Sequence, residues 1–217
     1  LIGGTGADSL NGGAGNDGLT GGLGADSFTI GAGTDSITDL GNGADVLVVS
    51  AGATANATLG AAWTATASSS NAGTASLTAA GFAVNLAAAT GANGWSVSNA
   101  GNGTGVSLTG SANADTLIGG TGADSLNGGA GADSFTIGAG TDSITDLGNG
   151  ADVLVVSAGA TANATLGEAW TATASSSNAG TASLTAAGYA VNLAAATGAN
   201  GWSVSNAGNA TAVSLTG

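Results

Sequence analysis

Lysine, arginine and histidine are all absent from the 217 residues, and so are cysteine, proline and methionine. No side chain therefore offers an amine or imidazole base, a thiol nucleophile or a soft metal ligand. Most acid–base and nucleophilic catalysis needs at least one of these, so the chain is read as having no enzymatic activity. Nothing answers the phosphates of nucleic acid, whose binding rests on cationic side chains. Thirteen acidic residues give a formal net charge of −13, which anionic lipid would repel. No apolar run is long enough to span a bilayer, and no signal peptide opens the sequence. Neither nucleic-acid binding nor membrane insertion is expected. The missing Met at position 1 marks the sequence as a piece of something longer, with any secretion signal outside it. Aromatic residues make up only 4%, too few for a thick core of large side chains. Yet the mean hydropathy of +0.34 is too high for a solvated, disordered tail. What is abundant is small: 42 glycines, with Ala, Ser, Thr and Asn. Such a composition suits a thin, regularly coiled β structure.

The sequence is an internal duplication. Leu1–Gly15 recurs unchanged as Leu117–Gly131, and Ala25–Gly110 recurs as Ala132–Gly217. The second pair differs at four positions: Ala61 becomes Glu168, Phe82 becomes Tyr189, Gly103 becomes Ala210 and Gly105 becomes Ala212. The first copy carries nine extra residues, Asn16–Gly24, that the second lacks. An indel of nine residues makes nine a structural quantum.

The same quantum spaces the side chains. Leu10, Leu19, Phe28, Ile37 and Val46 fall nine apart, as do Asp8, Asp17, Asp26 and Asp35. The second copy repeats this with Leu117, Leu126, Phe135, Ile144 and Val153, and with Asp115, Asp124, Asp133 and Asp142. The unit reads G-G-x-G-x-D-x-(apolar)-x, as in Gly3–Asn11, Gly12–Thr20, Gly21–Thr29, Gly119–Asn127 and Gly128–Thr136. Ile30–Thr38 and Ile137–Thr145 replace the first Gly by Ile, and Gly110–Leu117 is a weaker version. A period of nine fits no heptad or amphipathic helix. It fits six residues of turn and three of strand, two units making one flattened coil of 18. The apolar residue points into a thin core, and strands of stacked coils pair ~4.8 Å apart. Asp8 then lies over Asp26, Asp17 over Asp35, Asp115 over Asp133 and Asp124 over Asp142. Two such carboxylates ~5 Å apart repel by about 0.8 kcal/mol in bulk water and about 3 kcal/mol at an effective dielectric of 20. No Lys or Arg offsets this. A hard, oxygen-seeking dication does, and Ca²⁺ accepts 6–8 oxygens in a flexible geometry where Mg²⁺ demands a tight octahedron and zinc prefers N or S.

These tandem nonapeptides resemble the RTX family of secreted bacterial proteins, whose repeats form a calcium-loaded parallel β-roll. The closing phrase Ser36–Leu47 also resembles the way RTX blocks end. The resemblance covers roughly the first 45 residues of each unit. It implies an all-β, right-handed parallel β-solenoid in two tandem long units. Calcium would be held by Asp8, Asp17, Asp26, Asp35, Asp115, Asp124, Asp133 and Asp142. Backbone carbonyls of Gly4, Gly6, Gly13, Gly15, Gly22, Gly24, Gly120, Gly122, Gly129 and Gly131 would complete the sites. For Asp39, Asp45, Asp146 and Asp152, at the block ends, a capping or turn role stands beside metal binding. Glu168 is read as a surface charge.

The expected organisation is a calcium β-roll over 1–45, a metal-poor solenoid segment over 46–110, a second β-roll over 111–152 and a second metal-poor segment over 153–217. In the metal-poor half, Leu77, Leu86, Val97, Leu108 and Leu117 recur at steps of nine and eleven. Alternation and β-branched content place strands at Thr74–Thr78, Phe82–Leu86, Trp95–Ser98 and Val106–Thr109. Ala53–Asn71 is irregular, with a short helix, a bulged coil and a protruding loop all open. Trp63, Trp95, Trp170 and Trp202 are read as core or inter-unit packing rather than a carbohydrate platform. The sequons at Asn56, Asn102, Asn163 and Asn209 are read as chance.

Near-identical long units favour a structural role: a surface layer, an extracellular filament or an adhesin stalk, outside the cell or on its surface, reached by type I secretion. The expected partners are calcium ions and further copies, through self-association or covalent continuation into a longer array. A secretion and folding module attached to an enzyme is a competing reading, as is a ligand- or ice-binding adhesin region. The latter ranks last, because Thr5, Leu23 and Thr34 form no uniform row.

Overall fold

A computed structural model describes residues 1–217. It holds no helix and 26 short strands, all of whose pairings are parallel, stacked as a β-solenoid of about 11 turns. At the ~4.8 Å spacing of paired strands this is a rod roughly 50 Å long. Strictly alternating burial explains the strands: in Ser27–Ile30, Phe28 and Ile30 are buried while Ser27 and Thr29 are half-buried. Each coil alone buries almost nothing, so the core exists only through stacking.

In the calcium blocks the coil is two-sided and its step is 18 residues. Leu10 lies beside Phe28, Leu19 beside Ile37, Leu117 beside Phe135 and Leu126 beside Ile144. The expected stacking of the turns therefore holds. Beyond Asp45 the step widens. Thr54 pairs with Thr74 and Ser76 with Ser96, 20 residues apart, while Val84 pairs with Leu108, 24 apart. The extra residues form a third side. Thr54–Leu59, Trp63–Thr64 and Ser70–Asn71 belong to three different sheets, as do Thr74–Thr78, Val84–Asn85 and Thr90–Gly91.

The solenoid thus continues through the metal-poor half, with three sides where the calcium blocks have two. Leu77, Val97 and Leu117 line one sheet, whereas Leu108 lies in another with Val84 and Leu126. Ala53–Asn71 is neither a helix nor a protrusion but a regular coil of the rod. The strand expected at Phe82–Leu86 shrinks to Val84–Asn85, because Phe82 sits in a turn with its ring partly exposed. The wider, three-sided coil needs larger filling, and the tryptophans supply it. Trp63 and Trp95 are both buried, their rings edge-to-face with centroids 6.0 Å apart. Trp170 and Trp202 repeat the pair at 5.8 Å.

The missing nonapeptide shifts the second copy by half a coil. Thr54–Leu59 lies in the ten-stranded sheet, while its counterpart Thr161–Leu166 lies in the eight-stranded one. The two copies thus present equivalent strands on different faces of the rod.

Candidate metal centre

The aspartates of the calcium blocks form a ladder along the turns. Each carboxylate accepts, on Oδ1, the backbone N–H of the aspartate one coil earlier: Asp8 donates to Asp26, Asp17 to Asp35, Asp115 to Asp133 and Asp124 to Asp142, at 2.7–2.9 Å. Asp26 and Asp133 donate onward to Asp45 and Asp152 at 2.9 Å. The strand register brings the turns together, and Oδ2 of Asp8, Asp17, Asp26, Asp124 and Asp133 faces its own nonapeptide's first glycine, while Oδ2 of Asp35 faces Gly12 one coil earlier.

That second oxygen is the distinctive atom. Oδ2 of Asp8, Asp17, Asp35, Asp133 and Asp142 is buried and has no hydrogen-bond partner. A buried polar atom without a partner is costly, a buried charge more so. The space around these oxygens is reserved by glycine. A Cβ on Gly3 would stand 2.7 Å from Asp8 Oδ2, and one on Gly12 would stand 2.9 Å from Asp35 Oδ2 and 3.3 Å from Asp17 Oδ2. Gly12 thus marks a point where two carboxylates converge. Gly21 and Gly128 stand in the same way against Asp26 and Asp133. Burial pushes the Asp133 carboxyl up to about 7 and that of Asp142 up to about 6, from an ordinary value of 3.8. Burial also raises Asp45, Asp115 and Asp152. No side chain of the chain carries a positive charge to neutralise any of them.

Unpartnered carboxylate oxygens in pairs, beside glycine turns, fit a hard cation with oxygen ligands. No three acidic side chains converge on one point, so carbonyl oxygens must complete any coordination sphere. The carbonyls expected for this run along the rod rather than into a separate pocket. Gly4 accepts from Leu23, Gly13 from Ala32 and Gly120 from Ala139 in the next coil, at 2.8, 2.8 and 3.3 Å. Each carbonyl keeps a second lone pair. Next-coil glycines are required above several of them: a Cβ on Gly22, Gly24, Gly33 or Gly140 would collide with the carbonyl oxygen of Gly4, Gly6, Gly15 or Gly122. Gly129 accepts from Asn149 Nδ2, and the Gly131 carbonyl abuts Gly150.

The aspartates differ in how Oδ2 is used. Asp115 takes the amide and hydroxyl of Ser111, and Asp124 takes the Gly120 amide at 2.6 Å. At the block ends both oxygens are engaged. Asp39 takes the amides of Gly21 and Gly22, and Asp146 those of Gly128 and Gly129. Asp45 and Asp152 likewise take Gly41 and Gly148 on Oδ2. This is the geometry of a cap. Glu168 is exposed, as expected.

In the metal-poor half, asparagine does what the aspartate ladder does, without charge. Asn99 is buried, and its Oδ1 accepts from the Gly81 amide 18 residues earlier at 2.9 Å, while its Nδ2 donates to the Thr104 carbonyl at 3.1 Å. Asn71 accepts from Gly73 and donates to Gly94. Asn178 and Asn206 repeat both arrangements. These four residues escape a motif search for acids. Their signal is the tripeptide Asn-Ala-Gly, which starts at 71, 99, 178 and 206.

The fold and the carboxylate ladder together define a calcium-binding β-roll continued by metal-poor coils. A family profile, the RTX calcium-binding nonapeptide repeat, matches residues 2–37 and 109–144 in four copies. These segments are RTX repeats, and calcium is their cofactor. No curated protein and no solved structure matches the chain.

Proposed function

We propose that the chain is a calcium-stiffened structural segment of a secreted bacterial protein, serving as part of a surface layer, an extracellular filament or an adhesin stalk. It acts on no substrate. RTX repeats are typical of type I secretion substrates, which supports an extracellular or cell-surface location. Asp8, Asp17, Asp35, Asp133 and Asp142 hold calcium through their free Oδ2 atoms. Asp26, Asp115 and Asp124 contribute from the same ladder. Asp39, Asp45, Asp146 and Asp152 cap the blocks. The observation that carries the reading is the set of buried, unpartnered carboxylate oxygens in a chain with no side-chain cation. Only a bound ion makes such stacked coils stable, and its contribution grows with calcium concentration by mass action. The calcium blocks then stay unfolded in a low-calcium cytoplasm and fold outside. The test is a chelator titration followed by circular dichroism and by proteolysis with an enzyme other than trypsin. Loss of β structure and protection from 1–45 and 111–152 is expected. Calcium blocks that stay folded in excess chelator would sink the reading.

One feature favours a second reading, that of a ligand- or ice-binding adhesin region. Thr54, Asn56 and Thr58 lie in register with Thr74, Ser76 and Thr78, and Ser96 and Ser98 extend two of the three rows. This polar grid lies on a strand face. Thermal hysteresis of the calcium-loaded chain separates the two readings, and its absence leaves the structural one.

A further inference from the structure

At the entry into the second calcium block, coils that need no metal hand over to coils that do. Residues 46–110 carry no charged side chain. Their interior holds the Trp63–Trp95 pair and the buried Asn71 and Asn99, each bonded through both its oxygen and its nitrogen. Trp95 Nε1 is the one buried side-chain polar atom of this stretch without a partner.

The strands Thr116–Ile118 and Ser125–Asn127 stack on Ser96–Ser98 and Ser107–Thr109 of these coils. The carboxylate ladder crosses this joint with a neutral residue in the place of the earlier aspartate. The Trp95 amide donates to Asp115 Oδ1, and the Val106 amide donates to Asp124 Oδ1 at 2.9 Å. The Trp95 and Val106 carbonyls accept in return from Thr116 and Ser125, at 2.9 and 2.8 Å. Along the ladder, Asp115 and Asp124 therefore meet a like charge in the following coil only, from Asp133 and Asp142.

Their second oxygens are satisfied too. Asp115 Oδ2 accepts the Ser111 amide and, at 2.9 Å, the Ser111 hydroxyl. Asp124 Oδ2 accepts the Gly120 amide at 2.6 Å. Ser111 and Asn113 stand where the motif has glycine, and both departures tie this coil down. Ser111 is buried against Asp115, and Asn113 Nδ2 reaches the Gly91 and Asn93 carbonyls at 3.3 and 3.4 Å. One coil later the pattern ends. Asp133 and Asp142 hold the amides of Asp115 and Asp124 on Oδ1, but Oδ2 of each is buried with no partner.

We propose that Asp115 and Asp124 are positioning residues rather than calcium ligands: with Ser111 they make Ser111–Asn127 a coil that the metal-poor half holds without calcium, and the second block folds from this coil when the ion binds at Asp133 and Asp142. The proposal rests on the calcium reading above and exempts one coil of the second block from it. Hydrogen bonds to both oxygens stabilise a buried carboxylate in its charged form, whereas an unpartnered oxygen leaves the burial uncompensated. The preformed coil also offers the strand edges on which the next coil pairs, so the ion has one coil to order instead of two.

Hydrogen exchange of the whole chain in excess chelator, read by mass spectrometry on peptic fragments, tests this. The loss of protection across 111–152 is graded. Amides of 111–127 exchange at least about tenfold more slowly than those of 128–145, although Gly119–Asn127 and Gly128–Thr136 match the motif equally well. Ser111→Ala cuts the protection of 111–127 by about tenfold and leaves the number of bound calcium ions unchanged. In calorimetric titration, Asp115→Asn and Asp124→Asn bind as many calcium ions as the parent, while Asp133→Asn and Asp142→Asn each lose an ion or bind it at least about tenfold more weakly. Circular dichroism in calcium shows that each variant folds. Equally fast exchange of 111–127 and 128–145 overturns the proposal and leaves the calcium reading intact. So does a folded Asp115→Asn or Asp124→Asn chain that has lost a calcium ion, or a Ser111→Ala chain as protected as the parent. Slow exchange of both segments in chelator overturns the calcium reading itself, and the proposal with it.

Discussion

Asp35 offers the sharpest separation of the two tasks assigned to the ladder. Its Oδ1 accepts the Asp17 amide at 2.9 Å, and its Oδ2 is buried without a partner. Replacing it by asparagine keeps the acceptor for the amide and removes the charge. Replacing it by alanine removes both. Oδ2 of Asp17 and of Asp35 both lie near the vacant Cβ position of Gly12. At a separation of roughly 5 Å, their mutual repulsion in the absence of metal is about 1–3 kcal/mol across effective dielectrics of 80 to 20. Asp35→Asn relieves that repulsion, so the metal-free chain becomes more stable by about 1 kcal/mol or stays unchanged. Asp35→Ala strands the Asp17 amide, at a cost of about 1–3 kcal/mol. In calcium both variants lose a charged ligand, and calcium affinity at the first block falls by an order of magnitude or more. The assay is urea unfolding followed by circular dichroism, with and without calcium, together with calorimetric calcium titration. If asparagine and alanine are equally damaging without calcium, the division of labour between Oδ1 and Oδ2 is wrong. If Asp35→Asn binds calcium like the parent, Asp35 is no ligand.

Acid should partly substitute for calcium. Burial raises Asp133 to about 7 and Asp142 to about 6. A folded-state pKa above the unfolded one gives stability that is complete below the unfolded value, near 3.8, and lost as pH rises through about 6 and 7. The metal-free second block should hold more β structure at about pH 5 than at about pH 8, and calcium affinity should rise with pH, as titrations at several pH values will show. In excess chelator, tryptophan emission should remain that of buried indoles, because the Trp63–Trp95 pair sits in coils held by asparagine; Asn99→Ala should red-shift it by leaving the Gly81 amide and Thr104 carbonyl unpaired. Asp17→Ala and Asp26→Ala should loosen the neighbouring coils in a proteolysis time course, whereas Glu168→Ala, on an exposed side chain, should change stability by less than about 0.5 kcal/mol.

The two-sided coil and the aspartate ladder were legible because two kinds of residue carry the same period. Leu10, Phe28 and Ile37 mark the core while Asp8, Asp26 and Asp35 mark the turns, so the register is stated twice; it fails at the block end, where Leu47 rather than the expected Val46 lies beside Phe28. The three-sided coil was not legible. Its inward positions in Thr54–Leu59 are Ala55, Ala57 and Leu59, and alanine is too common here to mark a face. The third side rests on two-residue strands such as Trp63–Thr64 and Ser70–Asn71, too short to leave an alternation. Asn71 and Asn99 were passed over for a physical reason as well. Asparagine beside glycine reads as a solvated turn, and only stacking reveals that the side-chain amide is buried and fully bonded. The split of the aspartates by the use of Oδ2 depends on which amide comes within reach, one coil earlier for Asp39 and Asp146 and four residues earlier in the same turn for Asp45, Asp115, Asp124 and Asp152, which no spacing encodes.

The nine-residue difference between the copies has a geometric consequence. A nonapeptide adds half a coil, so a unit with the extra one returns the chain to the face it started from. Ile2 and its counterpart Ile118 accordingly share the ten-stranded sheet, with the strands of Thr54–Leu59 and Thr74–Thr78 between them. A unit without it emerges half a coil away. Thr161–Leu166 and Thr181–Thr185 then stand in the eight-stranded sheet. Everything that distinguishes one face from another follows this switch: the Thr-Asn-Thr grid, the partly exposed Phe82 and Tyr189, and the lone charge of Glu168. The core is indifferent to it, since every nonapeptide supplies an apolar residue and an aspartate at the same two positions. Length variation in the calcium block thus turns the surface of a rod without altering its interior. A chain built of such units can present one face to a single side or to two, and the number of nonapeptides between the metal-poor coils decides which.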